Sequence, residues 1–199
     1  MNETRKTRLR TILCLSLGLA LAACSGGAEA PPLEGAAIGG PFTLTNQDGR
    51  QVTERDFAGK YRIMYFGFTH CPDVCPTDLA VIGQALRRFE KDDPARAAQV
   101  TPIFVSVDPE RDTPAVLKEY VAAFHPRLVG LTGTERQVAD MVKRYGAYGA
   151  KGEPAAGGGY DVNHSRVAEL IGPDGKPIAL LPYEKGAGAV AAELERWVK

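Results

Sequence analysis

The sequence predicts an α/β fold: a central mixed β-sheet flanked by helices, with an added N-terminal β-hairpin. Three observations lead there. Apolar runs at residues 61–68 and 100–107 have the length and continuity of buried central strands. Each is followed by a segment whose apolar residues recur at helical spacing. Two cysteines, Cys71 and Cys75, sit at the first strand-to-helix junction, each followed directly by a proline, Pro72 and Pro76.

The elements follow in order. Residues 42–45 alternate, the run Asn46-Gln47-Asp48-Gly49 is a turn, and 51–53 return, which makes a small hairpin. A short turn at 56–60 leads into the first core strand. After the cysteines, Leu79, Ile82, Leu86 and Phe89 define a helix over about 77–90, with Pro76 at its first position. The strand at 100–107 is followed by a charged loop, 108–112. Thr113 then caps a helix that has Pro114 in its first turn. Val116, Leu117, Tyr120, Val121 and Phe124 form its expected buried face. A short strand at 128–131 and a helix from Thr134 to Tyr145 come next, with Val138, Met141 and Val142 inward. Residues 148–159, rich in Gly and Ala, read as a mobile loop. A strand at 167–171, the turn Gly172-Pro173-Asp174-Gly175, an antiparallel return at 177–181 and a helix at 189–198 close the chain. This order, with thiols at the first strand-to-helix junction, is a thioredoxin-like layout with an inserted element.

The first 23 residues form a separate object. Arg5, Lys6, Arg8 and Arg10 precede a short apolar stretch, 11–22, which is too short for a comfortable bilayer span. It ends in Leu21-Ala22-Ala23-Cys24, similar to the lipobox of bacterial lipoproteins, in which that cysteine receives the lipid. The expected organisation is a signal peptide at 1–23, a flexible Gly/Ala/Pro tether at 24–40 and one domain at 41–199. Ser25 follows the cysteine, which by likeness to Gram-negative lipoprotein sorting does not favour inner-membrane retention. Cys14 leaves with the signal and Cys24 carries the lipid, so Cys71 and Cys75 remain as thiols in an oxidising compartment. Residues 24–199 carry 20 Lys+Arg against 23 Asp+Glu. With no basic patch interleaved with aromatics, nothing points to nucleic acid.

Cys71 and Cys75 are at i and i+4, so in a turn-like loop they share a face. Amides at the helix start would stabilise a thiolate, most directly at Cys75. Three uses are open: dithiol–disulfide exchange, soft-metal ligation and a structural disulfide. The last would close a tiny loop and constrain little of the unfolded chain. The usual exchange spacing is two residues rather than three, which weakens that reading. Metal binding needs a further ligand, and the chain has three histidines. His70 adjoins Cys71, and next-door side chains rarely converge on one ion. His125 ends a helix, where the dipole alone accounts for it. His164 closes the Gly-flanked loop before a core strand and is a ligand candidate or a plain loop histidine. Two thiolates and an imidazole suit Cu(I) and also hold Cu(II), whereas a zinc hydrolase would need a placed base for which Asp73 and Asp78 alone give no support. A peroxiredoxin's activating Thr and Arg arrangement is not found.

The stretches YFGFTHCPDVCP at 65–76, VSVDPERDTP at 105–114 and YDVNHS at 160–165, followed by IGPDGK, together resemble the Sco/SenC family of copper proteins that assist cytochrome c oxidase assembly. The resemblance runs from Phe42 to the C-terminus. It implies a thioredoxin-like, membrane-tethered domain outside the cytoplasm, with Cys71, Cys75 and His164 binding one copper, as Cu(I) or Cu(II). It implies a metallochaperone for the oxidase's binuclear copper centre. Its partners would be the copper-accepting oxidase subunit, a periplasmic copper donor chaperone and the membrane, through the lipid on Cys24. A thiol–disulfide reductase acting through Cys71 and Cys75 on the recipient's cysteines, and a copper- or redox-sensing interaction protein, are the alternatives. When metal-free and oxidised, the pair is expected to form a disulfide. One position departs from the family: the residue before the ligand histidine is usually aspartate, and here it is Asn163.

Overall fold

The strand that carries the cysteines lies inside the sheet, paired on both sides. It is β3 (Tyr61–Gly67), and all seven of its residues are buried, as a continuous apolar run requires. The computed structural model describes residues 29–154 and 159–199. The expected signal segment, Cys14, Cys24 and the first part of the tether lie outside the described residues.

The remaining strands are β1 (Thr43–Asn46), β2 (Gln51–Thr53), β4 (Val100–Ser106), β5 (Val129–Thr132), β6 (Gly149–Pro154), β7 (Tyr160–His164), β8 (Ala168–Ile171) and β9 (Pro177–Leu180). The helices are α1 (Val74–Asp92), α2 (Pro94–Ala97), α3 (Pro114–Ala122), α4 (Glu135–Arg144) and α5 (Ala187–Trp197). The main sheet runs β2-β1-β5-β4-β3-β8-β9, and β6 with β7 forms a separate two-stranded sheet. β3, β4 and β5 are parallel, while β8 joins β3 and β1 joins β5 antiparallel. The sheet is therefore mixed, and with its helices it forms the thioredoxin-like fold the sequence predicts. The expected N-terminal hairpin is β1–β2, and β1 also extends the main sheet through β5.

Alternate residues of the central strands feed two cores. Tyr61, Ile63 and Tyr65 pack with Leu79, Ile82, Leu86 and Phe89 of α1 and Val190, Leu194 and Trp197 of α5. Met64 and Phe66 pack on the other face with Leu44, Ile103, Val138, Met141 and Tyr145. Leu86 and Phe89 are fully buried, and each such side chain contributes about 1.5–3 kcal/mol. Thr113 caps α3 by accepting from the Val116 amide, and Thr134 with Gln137 makes a capping box on α4.

Several expectations change. α1 begins at Val74, so Cys75 lies within its first turn and Pro76 is the third helical residue rather than the first. The third amide of a helix has no intrahelical partner, so proline is tolerated there as it is at the first. Val116 points outward, 37% exposed, leaving Leu117 and Val121 as the fully buried residues of α3. The stretch expected as a mobile loop contains β6, which pairs antiparallel with β7. Gly and Ala mask a strand because they carry no β-pattern. From Pro31 the expected tether belongs to the same unit as the domain. The Leu33 amide donates to the Ile178 carbonyl and the Gly39 amide to the Arg144 carbonyl, both at 3.0 Å, and Ile38 packs on the second core. Among the described residues, no helix is long and apolar enough to cross a membrane.

Candidate metal centre

The site is built where β3 ends and α1 begins. Gly67 is the last residue of β3, and a methyl group there would meet Cys75 Sγ at 2.7 Å and Phe104 at 3.0 Å. Glycine is what allows the sulfur to lie against the strand. Beyond it, the Asp112 carboxylate fixes the chain. It accepts from the Thr69 amide at 3.0 Å, Thr69 Oγ1 at 2.6 Å and Ser106 Oγ at 2.6 Å. Asp112 and Ser106 are wholly buried.

At the start of α1, Asp73 occupies the N-cap position without a side-chain capping bond. The Cys75 amide, an orphan donor of the first turn, instead donates to Cys71 Sγ at 3.4 Å. The helix-start amide thus serves Cys71, not Cys75 as the spacing suggested. Both cysteines are free thiols and buried, Cys75 completely. Burial pushes the Cys75 thiol well above its ordinary range, with a bond from the Phe68 amide working against it.

His164 ends β7 and is half-buried. Its Nδ1 bonds to the Ser165 carbonyl at 3.0 Å, which makes Nδ1 the donor and leaves Nε2 as the lone-pair nitrogen facing the thiols. Nε2 lies 3.3 Å from Cys75 Sγ. The ring meets Phe68 edge-on at 5.5 Å between centroids. The donor atoms of Cys71, Cys75 and His164 all lie within 4.8 Å of one another. Three donors about 2.0–2.3 Å from a common ion, the range for zinc–nitrogen and zinc–sulfur bonds, stand about 3.7 Å apart. A closing shift of about 1 Å therefore suffices, and two sulfurs with one imidazole form a soft donor set.

The other two histidines are elsewhere. His70 is half-exposed, with Nδ1 bonded to Thr69 Oγ1 at 3.1 Å and 3.8 Å from Asp112. His125 is buried; its Nδ1 accepts from the Arg127 amide at 3.2 Å, Nε2 is 3.4 Å from Glu90, and burial pushes its pKa down. Asp78 is no base. It is buried, accepts from Tyr65 Oη at 2.8 Å, and pairs with Arg166 at 2.8 Å. A surface hollow of about 520 Å³ beside Phe42, Glu54 and Met141 includes no member of the trio.

Sequence reasoning missed the residues that hold the trio. Tyr160 Oη donates to Asp108 at 2.8 Å, and Arg111 Nη1 donates to the Tyr160 carbonyl at 2.9 Å. Arg166, two residues after His164, reaches Asp78, three residues after Cys75. The motif at 105–114 reads as a unit, and nothing in it announces partners some fifty residues away.

A family model described as SCO1/SenC matches residues 30–199. The chain belongs to the SCO1/SenC family. It is similar to the human mitochondrial SCO1 homolog, 41% identical over 157 residues, which are 79% of this chain and 52% of that protein. It spans about half the length of the curated relatives it matches. A solved Bradyrhizobium japonicum ScoI with copper bound is 42% identical, with a TM-score of 0.73 over 81% of this chain and 99% of that one. A SCO1/SenC family lipoprotein from Bacillus anthracis is 25% identical, with a TM-score of 0.65 over 81% and 95%.

Proposed function

We propose that this SCO1/SenC protein is a copper metallochaperone for the binuclear copper centre of cytochrome c oxidase, carrying one copper on Cys71, Cys75 and His164. The observation that carries the reading is the convergence of two thiols and a lone-pair-bearing Nε2 within 4.8 Å, on three segments of the chain. Copper is the cargo. The sulfurs hold Cu(I), and the imidazole adds the nitrogen that Cu(II) prefers. His164 is the least buried of the three, so in transfer it is the ligand exchanged first, with the sulfurs following one at a time. A copper-bound ScoI of similar fold supports this reading.

Thiol–disulfide exchange at Cys71 and Cys75 is the second reading. The neighbouring sulfurs favour it, and a pair that closes to a disulfide when oxidised and metal-free would serve it. The raised Cys75 thiol works against it, because the thiolate is the attacking species. The domain is proposed to hang from a lipid on Cys24 and to face the periplasm. The expected leader and the lipoprotein relative support this. Mass spectrometry of the mature N-terminus checks it, and an unmodified residue there refutes it.

The central test is metal titration with X-ray absorption on residues 30–199. Cys71→Ser or Cys75→Ser should abolish tight binding of either ion. His164→Ala should lose Cu(II) and keep Cu(I), while His70→Ala should retain both. A wild-type Cu(II) spectrum in His164→Ala would overturn the ligand assignment.

A further inference from the structure

Two adjacent residues of one loop reach the two halves of the site. Asp112 anchors Thr69 and so the segment that leads into the cysteines. Arg111 faces the other way. Its Nη1 donates to the Tyr160 carbonyl at 2.9 Å, and its guanidinium lies 3.9 Å from the centroid of the Tyr160 ring. Its Nε donates to Asp108, whose other oxygen accepts from Tyr160 Oη at 2.8 Å. The same guanidinium stands 5.7 Å from the centroid of Phe68, the ring that meets His164 edge-on. Arg111 therefore contacts both the strand that carries His164 and the ring that backs its imidazole.

The strand needs such a hold. Among the described residues β6 and β7 pair only with each other, and an isolated two-stranded hairpin is marginal in water. Further contacts join the hairpin to the same loop and its approach. Lys151 pairs with Glu110 at 2.6 Å and stands 3.8 Å from the centroid of Tyr160. At Gly149, a methyl group would meet Val107 Cβ at 2.7 Å.

We infer that Arg111 is the positioning residue for His164: clamped between Asp108, Tyr160 and Phe68, it sets the imidazole in register with thiols that its neighbour Asp112 holds. Loss of the clamp leaves the sulfurs in place and lets the third ligand drift, turning a three-ligand site into a two-sulfur one. This rests on His164 being a copper ligand, so the test has a metal-free arm that does not.

In metal-free protein, Arg111→Ala should speed hydrogen exchange of the 160–164 amides at least about tenfold while the amides of β3 keep their protection. In the loaded protein, Cu(II) affinity should fall about 10–100-fold while Cu(I) affinity changes by less than about threefold. Arg111→Lys should be intermediate, because an ammonium keeps the charge but not the planar fork that meets carboxylate and carbonyl together. Tyr160→Phe, which loses one hydroxyl and keeps the ring and the carbonyl, should be mildest. Wild-type exchange at 160–164 in Arg111→Ala overturns the inference, as does an equal loss of Cu(I) and Cu(II), which would place its effect on the thiols or the whole fold. If His164→Ala retains Cu(II), the ligand assignment fails instead, and the metal-free exchange still decides the role of Arg111.

Discussion

The two halves of the site are held by different physics. The sulfurs sit between a fully buried central strand and a 19-residue helix. Their approach is fixed by a wholly buried carboxylate that accepts three hydrogen bonds. The imidazole sits on a hairpin outside the main sheet. Partly exposed arginines and a lysine tether it to the body. Hydrogen bonds to a wholly buried carboxylate are costlier to break than ion pairs whose cation reaches solvent. On the proposed ligand set, rigidity and exchangeability are divided between the sulfurs and the imidazole. In the proposed site the thiols are the pre-organised part, and the histidine, the least buried of the three, is the part expected to exchange.

The strongest way to break this contrast is on the sulfur side. Asp112→Ala leaves the Thr69 amide and the Ser106 and Thr69 hydroxyls without their acceptor, at a carboxylate position that is itself wholly buried. We expect a loss of about 3–4 kcal/mol, a fall in Tm of about 10 °C for a domain of this size, and faster alkylation of both cysteines. Asp112→Asn, which keeps one acceptor oxygen, should lose less. A loss under about 1 kcal/mol by urea denaturation would mean that the sulfur side is no more firmly built than the hairpin.

The same division explains what could be read from sequence. Signals confined to a few neighbouring residues were legible: the thiol pair at a strand-to-helix junction, the cap at Thr113, the turn at Pro173–Gly175. The resemblance to the family singled out His164, which spacing alone had left open. What stayed hidden depends on distant pairing. Asp112 meets Thr69 across 43 positions, Arg111 meets Tyr160 across 49 and Arg166 meets Asp78 across 88. Arg111 and Asp112 read merely as a charged loop. β6 was hidden for another reason, since Gly and Ala give neither apolar alternation nor β-branching. The start of α1 was misplaced because proline marks a first turn without saying which of its positions it fills.

A smaller effect probes the strand that follows the histidine. Glu169 of β8 is buried, one carboxylate oxygen has no partner, and burial raises its pKa to about 8 from 4.5. An acid with a raised folded pKa binds its proton more tightly folded than unfolded. The contribution of Glu169 to stability is therefore greatest below pH 4.5, falls as pH rises from 4.5 to about 8, and is level above that. The linkage caps the loss at about 3 kcal/mol by pH 7. Glu169→Gln should flatten this slope and be more stable than the parent at pH 7–8. Parallel stability–pH curves for the two proteins between pH 5 and 8 would exclude the buried acid as their cause.

The smallest effect tests whether the imidazole is held from its far side as well. Arg166 lies two residues past His164, and its guanidinium bonds both oxygens of Asp78, at 2.8 and 3.2 Å. Arg166 is half-exposed, which would make an ordinary surface pair worth little. Asp78, however, is buried and has Tyr65 Oη as its other partner. Arg166→Ala leaves that carboxylate underpaired, and we expect a cost of about 1 kcal/mol, between a surface pair and a buried one. Asp78→Asn keeps an acceptor for Tyr65 and removes the charge, so the double variant should be less destabilised than the sum of the two singles. On the metal, Arg166→Ala should weaken Cu(II) less than Arg111→Ala does and leave Cu(I) unchanged, because the Ser165 carbonyl bond to Nδ1 still orients the ring. If Arg166→Ala instead weakened Cu(I), its effect would be reaching the sulfurs through α1, and the separation between a fixed pair of thiols and a releasable histidine would be lost.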